Sequence, residues 1–342
     1  MNIPLTNTKQ LKELNVDALR CLLRTHHQVT KTDLAKLSGL SIATCGNTLR
    51  EMLETEEVFE VALAKSTGGR PAKTYLLNKD YHHIAALYAR RENHHITLTY
   101  QVTNLTGDIV SEQSKTMATM TLETLQDMIV EIITNHPAVH TCAIGLPGVI
   151  RDGYVSSCDI VNLHGVELKE HLSARYQLDF VIENDVNATV LGFYNRLQNN
   201  KSESTVYIYY PTSDSLGSGI IINGHILYGM SNYAGEAAFL PYMDYSGNSD
   251  MATYDPLAFA MQSAKTLMAY ICIINPNNIV LSGYHISPPL MEHIQSELDK
   301  LCPKVHQPTL HFEPDIKDSY LHGLTKLAMD QLTFNLIVTT KY

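Results

Sequence analysis

The sequence predicts a mixed α/β chain in two parts, a small helical head over residues 1–78 and a larger α/β body over residues 79–342. Three observations carry this expectation. Apolar residues recur at helical spacing through the opening segment, and a basic, glycine-containing stretch between two strand-like runs follows it. From Asp80 onward, apolar strand-like runs alternate with helical patterns, which is the order of elements in an α/β fold.

Bulk properties agree with a folded protein that meets different partners at its two ends. Hydrophobic residues make up 44% and charged residues 18% of the chain, unlike the composition of a disordered one. No apolar run reaches the ~18 residues of a membrane span, and the start lacks the basic-then-apolar layout of a secretory signal, so no membrane role and a cytoplasmic location are expected. Six cysteines stand apart without any CxxC pair, which predicts reduced thiols rather than a disulfide framework or zinc knuckle. The net charge of −10 is uneven: residues 1–78 hold 10 Lys+Arg against 8 Asp+Glu, and the remainder holds 15 against 27. A mildly basic head on an acidic body suits contact with phosphates at one end only.

In the head, Leu11, Leu14, Val16, Leu19, Leu22 and Leu23 predict a first amphipathic helix. Thr30 then offers an N-cap with Asp33 three residues on, and Gly39 closes a short second helix where a left-handed turn is needed. Ser41 caps a third helix that is expected to bury Ile42, Cys45, Leu49 and Leu53. Small or polar residues crowd its start, and Ser41, Ile42, Ala43, Thr44, Asn47, Thr48 and Arg50 are the candidate base-edge and phosphate contacts. Helix, glycine turn, helix is the spacing of a helix-turn-helix, although helical hairpins without nucleic acid share it. Two strands expected at Phe59–Leu63 and Lys73–Leu77 would make a wing, its tip carrying Gly68 and Gly69 with Lys65, Arg70 and Lys73 to reach phosphates or a narrow minor groove. The alternative reading of that segment is a solvated surface hairpin.

In the body, strands are expected at His83–Tyr88, Ile96–Val102 and Leu178–Ile182, a helix near Leu122–Thr134, a hairpin turned by Asn223-Gly224, and a long helix over Pro256–Ile274. No sequence repeat is visible. Three polar constellations sit where loops leave strands, the place where ligands gather in such sheets. GLPGVIRDG brings Gly148 into a tight turn; ENDVNA presents Asn184 and Asp185; YAGEAAF presents Glu236. A carboxylate beside an amide suits adjacent sugar hydroxyls, since both accept and the amide also donates. Taken singly these are equally an ordinary turn, a helix N-cap and a surface glutamate.

Taken in order, TKTDLAKLSGLSIATCGNTLREML, STGGRPAKTYLLN, TNLTGDIV, GLPGVIRDG, VNLHGVELKEHL, ENDVNATVLGFY, GSGIIINGHILYGMSNYAGEAAF and INPNNIVLSG resemble the ROK family of bacterial repressors and sugar kinases. The GGRP segment resembles the regulator branch. The resemblance implies a winged helix-turn-helix followed by a two-lobed, actin-like ATPase fold with sugar held between the lobes by Asn184, Asp185, Glu236 and the Gly148 turn. In the kinases of the family the aspartate matching Asp185 deprotonates the sugar hydroxyl. Phosphoryl transfer also needs groups around the ATP phosphates. The family's first phosphate loop, aspartate-x-glycine-glycine-threonine, falls near Ala85–Arg91, where this chain reads AALYARR. The second reads TSDSLGSG, which keeps Gly217 and Gly219 but puts Ser213 and Ser215 where glycines are expected. The family's zinc histidine aligns with Phe239 and its cysteine cluster is missing, so no metal and no cofactor are expected. The resemblance thus implies a non-enzymatic regulator, a repressor by family, whose partners are a double-stranded DNA operator and a sugar or sugar-phosphate effector, acting as a homodimer or a dimer of dimers. A hexose kinase using Asp185, and a DNA-binding protein with a vestigial pocket, are the alternatives.

Overall fold

The computed structural model describes residues 8–26, 28–62, 73–92, 95–197, 203–211, 216–241 and 255–333. The head begins with α1 (Thr8–Thr25), β1 (Val29–Thr30), α2 (Lys31–Ser38) and α3 (Ile42–Glu54), and ends with β2 (Val58–Ala62) and β3 (Lys73–Leu77). Local chemistry sets the helix boundaries. Thr30 and Asp33 form a reciprocal capping box, with Asp33 N donating to Thr30 Oγ1 at 3.1 Å and Thr30 N to Asp33 Oδ2 at 3.2 Å. Gly39, at φ 71°, ends α2 in the left-handed conformation that a side chain disfavours.

Two expectations for α3 and the hairpin are corrected. The buried face of α3 is Cys45, Thr48, Leu49 and Met52, so Ile42 is not a core residue and stands 51% exposed. Spacing of three, four and seven residues keeps this set on one stripe, and Met52 fills the space that Leu53, only partly buried, was expected to hold. The first strand starts at Val58 rather than Phe59, because Val58 is the inward residue opposite Leu77 while Phe59 faces out at 46% exposure. β3 lies between β1 and β2, antiparallel to both.

The body opens with an antiparallel meander of β4 (His83–Glu92), β5 (His95–Asn104) and β6 (Ile109–Met117). After α4 (Leu122–Asn135), β7 (Val139–Leu146) joins β4 in parallel; a β8 (Gly148–Arg151) and β9 (Tyr154–Cys158) hairpin and α5 (Leu168–Arg175) follow, and β10 (Asp179–Asn184) extends the sheet. Helix α6 (Asp185–Arg196) leads to a second sheet, made of β11 (Thr205–Tyr210), β12 (Gly217–Ile222), β13 (His225–Ile226), β14 (Asn278–Gly283) and β15 (Thr309–Glu313). Its remaining helices are α7 (Pro256–Ile273), α8 (Pro288–Leu301) and the terminal α9 (Lys317–Thr333). The strand orders are β6-β5-β4-β7-β10 and β13-β12-β11-β14-β15. Both sheets thus run meander first, then two parallel strands on the other side of the first strand, and the body is one topology used twice. The Asn223-Gly224 turn has φ 53° and 80°, the positive pair a tight hairpin requires.

α6 and α9 cross between the two sheets, α9 against β4 and β7 and α6 against β11 and β12. Their backbones touch at two glycines: a Cβ on Gly192 would lie 1.8 Å from Ser319 O, and one on Gly323 1.8 Å from Ala188 O. Around this crossing Ile84, Ala86, Tyr207, Val280 and Leu324 form a core shared by both lobes. Each sheet has its own outer core as well, with Leu125 and Ile129 of α4 covering the first and Leu267, Ile294 and Leu298 of α7 and α8 covering the second. The head sits at the opposite end of the first lobe from the ends of its parallel strands. Leu105 at the β5–β6 turn is buried in the head core, and Tyr81 and Leu332 pack against it.

Candidate functional site

Strand ends and the α6 N-terminus enclose a cleft of 350 Å³ between the lobes. It lies at the small end of the ~300–1,000 Å³ range of small-molecule sites. Gly148, Asn184, Asp185 and Glu236, singled out separately in sequence, all line it. Gly148 has φ 154°, and a Cβ there would meet Ser157 O at 2.1 Å, so only glycine lets β8 and β9 close this wall.

Asn184 is an N-cap as well as a cleft residue. Its Oδ1 accepts from Asn187 N at 2.9 Å, while its Nδ2 donates to Gly148 O and Asp185 Oδ1, both at 2.9 Å. Asp185 Oδ1 also accepts from Val186 N at 2.9 Å, which fixes the carboxylate at the helix start where the backbone dipole favours negative charge. Behind them Glu183 is buried, and burial holds its carboxyl above the usual range. It accepts from Asn184 N at 2.7 Å and from Tyr228 OH at 2.7 Å, the latter a tie from the second lobe to the first. A second tie runs from Asn232 Nδ2 to Ile150 O at 2.7 Å. Glu236 is half-buried, and its carboxyl is raised by that burial and by the neighbouring Asp159 carboxylate.

Several lining residues escaped sequence reasoning. Arg90 and Arg91 stand at the end of β4, where a phosphate loop was the template for reading AALYARR. The segment is no loop: β4 pairs with β5 in unbroken register from His83↔Asn104 to Glu92↔His95, with Ala85 to Ala89 buried. Arg90 Nη1 is 3.2 Å from Asp315 Oδ1, and Arg91 Nη1 donates to Asp159 O at 3.3 Å. Tyr320 on α9 also lines the cleft at 1% exposure, its ring 4.7 Å from that of Tyr88, and its hydroxyl has no hydrogen-bond partner among the described residues. Cys158 is a cleft residue too, but burial pushes its thiol up to about 12, away from nucleophile chemistry. Gly217 and Gly219 lie in β12, whereas Ser213 and Ser215 fall outside the described residues. Phe239, half-exposed and tilted against the Tyr233 ring at 5.5 Å, offers no metal-ligating atom, and no metal-holding group of His, Cys, Asp or Glu occurs among the described residues.

On the head, Ser41 Oγ accepts from Thr44 N at 3.0 Å and starts α3. Ser41, Ile42, Ala43, Asn47 and Arg50 form its exposed face, with Thr44 partly covered. Thr48 does not join them: at 6% exposure it belongs to the inward stripe, because it falls between Cys45 and Met52 at core spacing. Lys73, at the start of β3, pairs with Glu60 at 2.8 Å, and Lys65 and Arg70 lie outside the described residues.

The fold and cleft define a two-lobed α/β protein of duplicated topology with a helical head. The sequence model of the ROK family matches residues 94–249. It is 25% identical over 248 residues to a xylose repressor of Bacillus subtilis, an alignment covering 69% of this chain and 62% of that protein. It is 23% identical to the DNA-binding transcriptional dual regulator NagC of Escherichia coli over 67% of this chain and 58% of that one. The aligned stretch thus spans about three fifths of the length of these relatives. Among solved structures, a ROK family transcriptional regulator, a homologue of the E. coli MLC protein, superposes with TM-score 0.69 at 19% identity over 95% of this chain and 97% of that one. A ROK family glucokinase of Streptomyces griseus superposes with TM-score 0.57 at 16% identity, over 72% of this chain and 99% of that one. The two-lobed fold is therefore shared with that regulator and that glucokinase. No described helix is long and apolar enough to cross a membrane.

Proposed function

We propose that this chain is a sugar-responsive, DNA-binding repressor in which residues 1–78 form the operator-reading domain and residues 79–342 the effector domain. The observation that carries the reading is the exposed start of α3, capped by Ser41 and fronted by Ala43, Asn47 and Arg50, on a helix-turn-helix joined to a sugar-kinase-like body. Such a helix enters the major groove with its first turns against base edges. Ser41, Ile42, Ala43, Thr44, Asn47 and Arg50 are the groove-facing set, and Lys65, Arg70 and Lys73 are assigned to the phosphates beside it. A relative named as a repressor and one named as a DNA-binding transcriptional dual regulator support the same reading. The protein acts as a homodimer on a two-fold site with half-sites ~34 Å apart or a multiple of that.

Kinase chemistry is not assigned. Asp185 lines the cleft, and β4 is paired strand over Ala85–Arg91, the segment that the family resemblance aligns with a phosphate loop. Asn184, Asp185 and Glu236 then serve to bind sugar hydroxyls. The test is selection from a random-sequence duplex library with the full chain, followed by anisotropy on the enriched duplex. Asn47→Ala and Arg50→Ala are each expected to weaken binding by ~1–3 kcal/mol. Enrichment of no sequence, or unchanged binding by both variants, contradicts the reading.

A further inference from the structure

We infer that Lys31 of α2 is a further DNA contact, a phosphate-binding ammonium laid against α3 in the gap left by Gly46; this rests on the DNA-binding reading above. Gly46 stands in the middle of α3, where glycine weakens a helix relative to alanine. It is not one of the chain's positive-φ glycines, so no turn requires it. Its missing side chain makes room for Lys31: a Cβ built on Gly46 would lie 3.3 Å from Lys31 Cδ and 3.6 Å from Lys31 Nζ. Even an alanine at this position would press on the lysine stem.

On a helix the neighbours of position 46 are the residues three and four places away. Ile42, Ala43 and Arg50 are exposed members of the groove-facing set, whereas Leu49 is buried. The Lys31 ammonium thus lies at the edge of the groove-facing surface, and α2 supplies the side chain that α3 lacks there. Lys12 and Lys73 are committed to Glu51 and Glu60 at 2.9 and 2.8 Å. The Lys31 ammonium has no such ion pair among the described residues. When the second helix of a helix-turn-helix enters the major groove, the first crosses the DNA backbone. An ammonium at the seam between the two meets a phosphate, and a compact charge on a flexible stem suits such a contact, which positions the protein without reading sequence. Gly46 is then a positioning residue that acts through Lys31.

The experiment is fluorescence anisotropy of the full chain on the selected duplex and on a random one at several salt concentrations. Lys31→Met keeps the stem and removes the charge. It is expected to reduce the steepness of log affinity against log salt by ~0.9 for each head bound, a loss of ~8-fold per head at ~0.1 M salt, on both duplexes alike. Lys31→Arg retains the wild-type slope, which separates lost charge from a folding defect. Gly46→Val, whose side chain takes the space of the lysine stem, is expected to reproduce the shallower slope in the wild type and to make Lys31→Met no shallower. An unchanged slope in Lys31→Met, or a loss confined to the selected duplex, overturns the inference and leaves the DNA-binding reading intact. A wild-type slope in Gly46→Val, or a further loss of slope when it is added to Lys31→Met, also overturns it. Failure of the wild type to prefer the selected duplex over the random one overturns both readings.

Discussion

At the scale of single residues, the cleft joins side chains held by several hydrogen bonds to a hydroxyl that has none among the described residues. Asn184 caps α6 and holds Gly148 and Asp185 at once, so it acts by fixing its neighbours. The Tyr320 hydroxyl is the opposite case, buried, lining the cleft and lacking a partner among the described residues. A buried hydroxyl without a partner contributes no hydrogen bond to the fold, so removing it does not lower stability. Tyr320→Phe is therefore expected to leave the melting temperature unchanged or raised while weakening effector binding ~3–10-fold, the worth of one hydrogen bond. A drop in melting temperature with unaltered affinity would assign the residue to the core alone. The candidate residues were legible to different degrees. ENDVNA and YAGEAAF stood out because polar residues follow an apolar strand or sit among small ones. Tyr320 gave no such signal, since a tyrosine on a helix reads as packing, and Thr48 read as polar surface although its phase on α3 is that of Cys45 and Met52.

At the scale of elements, the contact of α6 with α9 determines how the lobes meet. With backbone oxygens 1.8 Å from the ideal Cβ positions of Gly192 and Gly323, a methyl group forces the helices apart. Gly323→Ala is expected to destabilise the fold by ~1–3 kcal/mol, as overpacking does, read as a lower midpoint in urea. An unchanged midpoint would mean the crossing yields freely. The junction with the head has its own signature in pH. His82 contacts His140, Nδ1 to Nδ1 at 3.0 Å, and its pKa is lowered to about 4 by burial, by His140 and by Arg20 of α1. The unfolded chain takes up that proton near 6.5, so stability from the neutral imidazole is present above 6.5 and lost as pH falls toward 4. The melting temperature of the wild type is expected to fall more between pH 7 and 5 than that of His82→Asn; equal slopes would remove His82 from the account. Most elements were legible, because caps, alternation and the Asn223-Gly224 turn are local chemistry. The use of one topology twice was not, since pairing order leaves no mark when the two halves share no side-chain pattern.

At the scale of the whole molecule, three elements run from cleft to head. β4 begins beside the head at His83 and ends at Arg90 and Arg91; β5 returns from there to Leu105 in the head core; α9 starts at the cleft with Tyr320 and reaches the head with Leu332. In the proposed regulator a ligand that bridges the lobes would bear on β4 and α9, which the close α6–α9 crossing at Gly192 and Gly323 ties to the second lobe. Closure must differ in ligand affinity from the open form for this to control DNA, and the required coupling is of the order of 1–3 kcal/mol. The measurement that tests the central claim most directly is fluorescence anisotropy of the full chain on its selected duplex, titrated with monosaccharides and their monophosphates. The account predicts that one of them weakens DNA binding ~5–150-fold and that Asp185→Asn abolishes the response while DNA binding without ligand persists. An affinity for DNA that stays constant at saturation with the ligand that binds most tightly by calorimetry would contradict it.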